Sequence, residues 1–137
     1  MRERLPTGID ALDQLLDGGI PPGSLVTFAA PPNSQAEMLV HELIATRQTL
    51  YLTTMRHAEA VRSSLERAGV SLDSVAVRAV GPASRSRTSR DGTAMLEAAT
   101  AIVSNVPQET NVIVDPVDVL ERTGDRPYLT FLNNLRA

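Results

Sequence analysis

Short apolar runs bounded by turn residues alternate with segments of helical spacing along most of this 137-residue chain. That alternation constrains the fold more than any other feature. Ser24–Ala30, Thr49–Thr54, Ser74–Val80 and Asn111–Asp115 read as strands. Between and around them, helices are predicted over Thr7–Leu16, Ser34–Arg47, Ala58–Ala68 and from Asp91 or Thr93 to about Asn105. A last helix is predicted from Pro127 to Leu135, with Leu129, Leu132 and Leu135 in register. Thr7 is the expected N-cap of the first helix, whose apolar face is Ile9, Leu12, Leu15 and Leu16. Gly69 follows the Ala58–Ala68 segment as a left-handed cap. Strand–helix alternation calls for right-handed crossovers and an α/β fold, a parallel sheet with helices on both faces. The expected core is Leu12, Leu16, Leu39, Leu43, Leu52, Val61, Leu65, Ile102, Ile113 and Leu132.

The length corresponds to a single domain, residues 1–137. Hydrophobic residues make up 42% of the chain but aromatics only 3%, so the core must be aliphatic. Thirteen basic residues, all arginine, face sixteen acids for a net charge of −3. No basic footprint for nucleic acid is evident in that balance. Without cysteine there is no disulfide framework or thiolate metal site. The residues before Pro6 are charged, and no apolar run approaches the ~18 residues of a membrane span. A cytoplasmic location with no membrane association is therefore expected. Arginine without lysine fits a GC-rich genome and a haloarchaeal source.

The missing lysine matters most at the first strand. Ser24–Ala30, the turn Pro31–Glu37 and the helix-spaced Met38–Ile44 form strand, short loop and helix, the context of a Walker A element, G-x-x-x-x-G-K-[ST]. Where that element needs glycine, glycine, lysine and threonine, the chain has Ala30, Gln35, Ala36 and Glu37. Glycines there let backbone N–H groups approach phosphate oxygens, the lysine neutralises phosphate charge, and the hydroxyl holds Mg²⁺. Glu37 would instead put a carboxylate beside a phosphate at a helix N-terminus otherwise suited to anions. Two like charges about 4 Å apart cost about 4 kcal/mol at an effective dielectric of about 20. Ala30, Gln35 and Ala36 also resist the positive φ angles of a phosphate cradle. The turn is expected to be narrower than such a cradle, or to end with Ser34 capping the helix that follows.

The segment Thr7-Gly8-Ile9-Asp10-Ala11-Leu12-Asp13-Gln14-Leu15-Leu16-Asp17-Gly18-Gly19-Ile20-Pro21-Pro22-Gly23 resembles the start of RecA-superfamily ATPases of the KaiC-like group. Their pattern is T-G-[IV]-x-x-L-D-x-x-L-x-G-G-[IL]-P-x-G. The likeness continues through Ala30–Pro32, through Tyr51–Gly69, and at Val112–Asp115, which is similar to a Walker B strand. Residues 70–110 are less distinctive. The resemblance implies a RecA-like P-loop NTPase fold, here shortened, with a nucleotide site at Asn33, Ser34, Gln35, Ala36, Glu37 and Asp115. It also implies acidic water-activating residues just after the Tyr51 strand, where this chain has Met55 and Arg56. In that family a further strand inserts between the Walker A and Walker B strands. The chain is then expected to be a fragment or short product, to pair the two flanking strands directly, or to keep open sheet edges that invite another chain.

Bland readings stand beside these. Asp115 ends a buried strand before Pro116, and a structural carboxylate there outweighs a Mg²⁺ ligand lacking its partner groups. His41 and His57 have no second ligand at metal spacing and read as ordinary boundary residues. Gly81–Arg90, rich in serine and arginine, reads as a polar surface loop.

Together these features describe a degenerate, shortened RecA/KaiC-like domain. It is expected to be a non-hydrolysing regulatory or scaffolding protein that acts by self-association or by binding a protein partner. No catalytic residue, metal site or cofactor is expected. The alternative is an ATPase with a non-standard loop, whose cofactors would be ATP and Mg²⁺. A recombination or DNA-repair accessory role rests on family analogy alone.

Overall fold

The computed structural model describes residues 3–31, 34–80, 92–122 and 124–136. The elements in chain order are α1 (Asp10–Leu15), α2 (Glu37–Thr46), β1 (Thr49–Thr53), α3 (Ala58–Arg67), β2 (Val75–Ala79), α4 (Gly92–Val103), β3 (Asn111–Asp115), α5 (Asp118–Glu121) and α6 (Asp125–Arg136). The three strands form one parallel sheet in the order β2-β1-β3. The α/β class, with a parallel sheet and helices on both faces, is thus as expected and consistent with a shortened RecA-like fold.

β1 is central, and all five of its residues are buried. Its side chains alternate between two cores, as strand geometry requires. Leu50 and Leu52 join Val80, Met95, Leu96, Ala99, Leu120 and Phe131 on the face covered by α4, α5 and α6. Tyr51 joins Ile44, Val61, Leu65 and Val77 on the face covered by α2 and α3. Val112 and Val114 of β3 pack toward the first cluster and Ile113 toward the second. Each fully buried aliphatic side chain, such as Ile44, Leu52 or Val61, contributes about 1.5–3 kcal/mol.

α3 ends as its sequence predicts. Val70 N–H donates to Leu65 O at 2.9 Å and Gly69 N–H to Glu66 O at 3.0 Å, with Gly69 at φ +82. This is the double bond pattern of a Schellman cap, and Val70 packs in the same cluster as Leu65.

Several expectations need correction. Ser24–Ala30 is not a strand: it pairs with no other segment among the described residues, and it is exposed throughout. Leu25, Val26 and Phe28 are 46%, 59% and 54% exposed. The run is apolar enough for a strand, but pairing needs a neighbouring edge, and the sheet ends at β3. The direct pairing of Ser24–Ala30 with the Asn111–Asp115 strand is not formed.

α1 is six residues long, and its N-cap is Ile9 rather than Thr7. Thr7, only 1% exposed, lies outside the helix, and its backbone N–H and hydroxyl both donate to Asp13 Oδ1, at 2.8 and 2.7 Å. So short a helix leaves Leu15 83% exposed, and Leu12 and Leu16 are only half-buried. Leu39, Leu43, Ile102, Ile113 and Leu132 are also half-buried, whereas Leu52, Val61 and Leu65 are fully buried as expected. α4 already begins at Gly92, so Thr93 lies within it rather than capping it. Asp91, the other proposed cap, lies outside the described residues, as does the predicted loop 81–90. On α6 the packed face is Tyr128, Phe131, Leu132 and Leu135, the i, i+3, i+4, i+7 spacing of a helix stripe, and Leu129 turns outward.

Candidate functional site

The N-terminal segment is held as a closed loop. Leu5 and Ile20 exchange backbone hydrogen bonds, each 2.8 Å long. Gly8, at φ +90, sits so close to α2 that a Cβ there would lie 2.8 Å from Glu42 O and 3.3 Å from the Thr46 methyl. The Thr-Gly start of the signature therefore seats this loop against the C-terminal half of α2.

α2 is in turn registered against β3. Asn111 Nδ2, at the start of β3, donates to Leu43 O at 3.3 Å. From Leu43 back to Glu37 the helix rises about 9 Å, while β3 advances about 13 Å from Asn111 to Asp115. The first turn of α2 therefore lies toward the carboxyl end of the sheet, the end at which β1 and β3 terminate. Beyond β1 the chain passes to α3 on one face, and beyond β3 it passes to α5 and α6 on the other. Such a divergence is the topological switch point of an open α/β sheet, where ligands characteristically bind.

The groups at this point are Tyr51, Thr53, Thr54, Met55, Arg56 and Asp115. The Tyr51 hydroxyl donates to Asp115 Oδ2. Thr54 N–H donates to Asp115 O at 3.1 Å, and the Thr54 hydroxyl donates to Pro116 O at 2.6 Å. Thr53 closes the turn after β1: its hydroxyl donates to Arg56 O at 3.0 Å and accepts from Arg56 N–H at 3.1 Å. Thr53 and Thr54 are essentially without solvent exposure. Burial, and then the Asp115 carboxylate, push the Tyr51 phenol well above its ordinary pKa, and the Arg56 guanidinium opposes them. A phenol held protonated is a fixed donor, so Asp115 is an acceptor locked to β1. Met55 projects into solvent, 61% exposed.

The residues of the expected nucleotide loop lie elsewhere at the same end of the sheet. Asn33 lies outside the described residues. Ser34 and Gln35 are exposed in the turn before α2, Ala36 is its half-buried N-cap, and Glu37 is exposed in its first turn. Ser34 Oγ accepts from Ala36 N–H at 3.4 Å, so it supports the turn rather than capping α2, which starts at Glu37. No hydrogen bond or ion pair joins Ser34–Glu37 to Asp115 among the described residues. Nor do those residues contain a group of three or more histidine and acidic side chains that could hold a metal ion. His41 is half-buried within α2, and His57 is the exposed N-cap of α3, with no side-chain cap bond.

The sequence signal for Asp115 was its place at the end of an apolar strand. Its partner Tyr51 carries no sequence signal beyond its place in a strand. The consecutive Thr53-Thr54 pair after an apolar run was the one cue to a hydroxyl-lined strand end.

A family model matches residues 4–137, nearly the whole chain. The chain belongs to DUF7125, a family of unknown function. No curated protein and no solved structure matches it. Among the described residues of this DUF7125 chain, no helix is long and apolar enough to cross a membrane.

Proposed function

We propose that this DUF7125 chain is a degenerate RecA/KaiC-like domain, a cytoplasmic regulatory or scaffolding protein that does not hydrolyse ATP and acts by self-association or by binding another protein. The observation that carries this reading is the state of its one Walker B-like carboxylate. Asp115 is hydrogen-bonded by the Tyr51 hydroxyl and tied through its backbone to Thr54. That bond engages one oxygen of the carboxylate, and Ala36 and Glu37 supply neither the lysine nor the hydroxyl that a Mg²⁺–nucleotide would need beside it. Met55 and Arg56 stand where a water-activating base would be needed, and neither is one. What the fold offers instead is exposed apolar surface at Leu25, Val26, Phe28 and Met38, the usual mark of an interaction site.

The test is a turnover assay on purified protein with ATP and Mg²⁺, with Asp115→Asn as control. Loss of one positioned electrostatic group typically costs ~10²–10³ in rate, and several are missing here. No turnover above background is expected. Turnover at ordinary ATPase rates, abolished by Asp115→Asn, would overturn the reading.

One observation favours the second reading, an ATP-binding domain with a non-standard loop. The first turn of α2 has no side-chain cap and lies toward the switch point of the sheet, an end of the helix suited to anions, although the Met38 and Leu39 N–H groups there already donate to Gln35 O and Ala36 O, each at 3.1 Å. The Glu37 carboxylate in that same turn weighs against it.

A further inference from the structure

The two edges of the sheet are treated differently. Val80 N–H donates to Thr53 O, so in the parallel ladder the β2 groups at 75, 77 and 79 face outward. That edge is guarded: Arg62 Nη2 donates to Val77 O at 3.1 Å. At β3, Asn111 N–H bonds Gln48 O and Asp115 O accepts from Thr54 N–H, so Asn111, Ile113 and Asp115 face β1. The backbone N–H and C=O groups of Val112 and Val114 therefore point away from the sheet, and no partner from the described residues meets them. No charge, proline or bulge interrupts Val112-Ile113-Val114, although native edges usually carry such guards. All five residues of β3 are half-exposed.

The same chain carries an unpaired strand-like segment. Ser24–Ala30 contains no charged residue, and Val26, Thr27 and Phe28 are strong strand formers. Topology indicates the side on which it would add to the sheet. α2 and α3 cover the same face, and β1–α3–β2 runs toward β2. A right-handed crossover from Ser24–Ala30 through α2 into β1 would then start on the β3 side. A strand formed by this segment would thus be added on the side of the bare edge, although within one chain the two do not pair.

We propose that a second copy of this chain covers the β3 edge, with Ser24–Ala30 of each copy adding as a strand beside Val112–Val114 of the other. The inference rests on the scaffolding reading above and names its partner. Each copy presents both halves of the contact, which is the condition for a closed two-fold dimer. Backbone hydrogen bonds to Val112 and Val114 supply affinity, and Val26 and Phe28 supply apolar cover.

Sedimentation equilibrium of the full chain at tens of micromolar tests this, with two variants. Val26→Lys/Phe28→Lys changes side chains already more than half exposed in one copy, so the fold of the single chain is preserved. Val114→Pro removes an outward N–H while leaving the groups that face β1 intact. The wild type should sediment at twice the 14.7 kDa chain mass, and each variant should weaken association at least about tenfold. A monomeric wild type overturns the proposal. A dimer that neither variant weakens also overturns it, placing the contact elsewhere while leaving the scaffolding reading intact. ATP turnover by a dimer that both variants weaken would overturn that reading and leave the strand exchange standing.

Discussion

Replacing Tyr51 by phenylalanine removes a single oxygen, the one that donates to Asp115 Oδ2. The ring, only 4% exposed, keeps its packing against Ile44, Val61, Leu65 and Val77. The cost is therefore that of a half-buried carboxylate left short of a donor, about 1–3 kcal/mol. Unfolding entropy near about 2.1 cal/mol/K per residue gives ~0.29 kcal/mol/K for 137 residues. The melting temperature should then fall by about 3–10 °C. The same substitution should change the alkaline limb of stability. The folded pKa of Tyr51 is raised, so its contribution is fully present below the unfolded value of about 10 and is lost as pH rises toward the folded value. In that window stability should decline by up to about 1.4 kcal/mol per pH unit from this group, and Tyr51→Phe should flatten the decline. Tyr128, also raised by burial and by Glu121, leaves a residual slope. Thermal melts at neutral and alkaline pH measure both effects. A Tyr51→Phe protein as stable as wild type at neutral pH, or with an unchanged alkaline slope, would refute the claim that Asp115 is tied down by this hydroxyl.

Other substitutions separate packing from backbone geometry. Phe131→Ala removes a side chain 1% exposed at the junction of α6 with the sheet and should cost about 3–5 kcal/mol in denaturant titrations. Gly69→Ala, at φ +82 with open space around it, should cost about 1–2 kcal/mol. Gly8→Ala combines φ +90 with a contact 2.8 Å from Glu42 O, so its loss should exceed that of Gly69→Ala. Met55→Ala, at an exposed position, should leave stability within about 0.5 kcal/mol of wild type.

The parts of this fold legible from sequence are those whose signal is local. β1, β2 and β3 are apolar runs between turn residues, and the Gly69 cap is written in the residues around it. α6 was visible from its period, but choosing its buried stripe required knowing that Tyr128 and Phe131, not Leu129, meet α4. Ser24–Ala30 failed for a non-local reason. Its composition is that of a strand, yet a strand exists only against another, and β3 does not extend that partnership within one chain. Thr7 failed similarly: its donors are taken by Asp13 six residues on, which no capping pattern anticipates. Of the candidate site, Asp115 is visible as the carboxylate that ends a Walker B-like apolar strand, and Ala36 and Glu37 as departures from a Walker A pattern. The Tyr51–Asp115 bond spans 64 residues of sequence and depends on the parallel register of β1 and β3, so only the structure brings it into view.

We propose that structural hydrogen bonding at Asp115 stands where nucleotide chemistry would stand in a working RecA-like domain. A thermal-unfolding titration with ATP and Mg²⁺ addresses it most directly, because it reads binding whether or not hydrolysis follows. A ligand held by the folded chain at 100 times its Kd would add about 2.7 kcal/mol, about 9 °C for a chain of this size. No shift is expected into the millimolar range, for wild type and for Asp115→Asn alike. A saturable rise in melting temperature that requires Mg²⁺ and disappears in Asp115→Asn would contradict it.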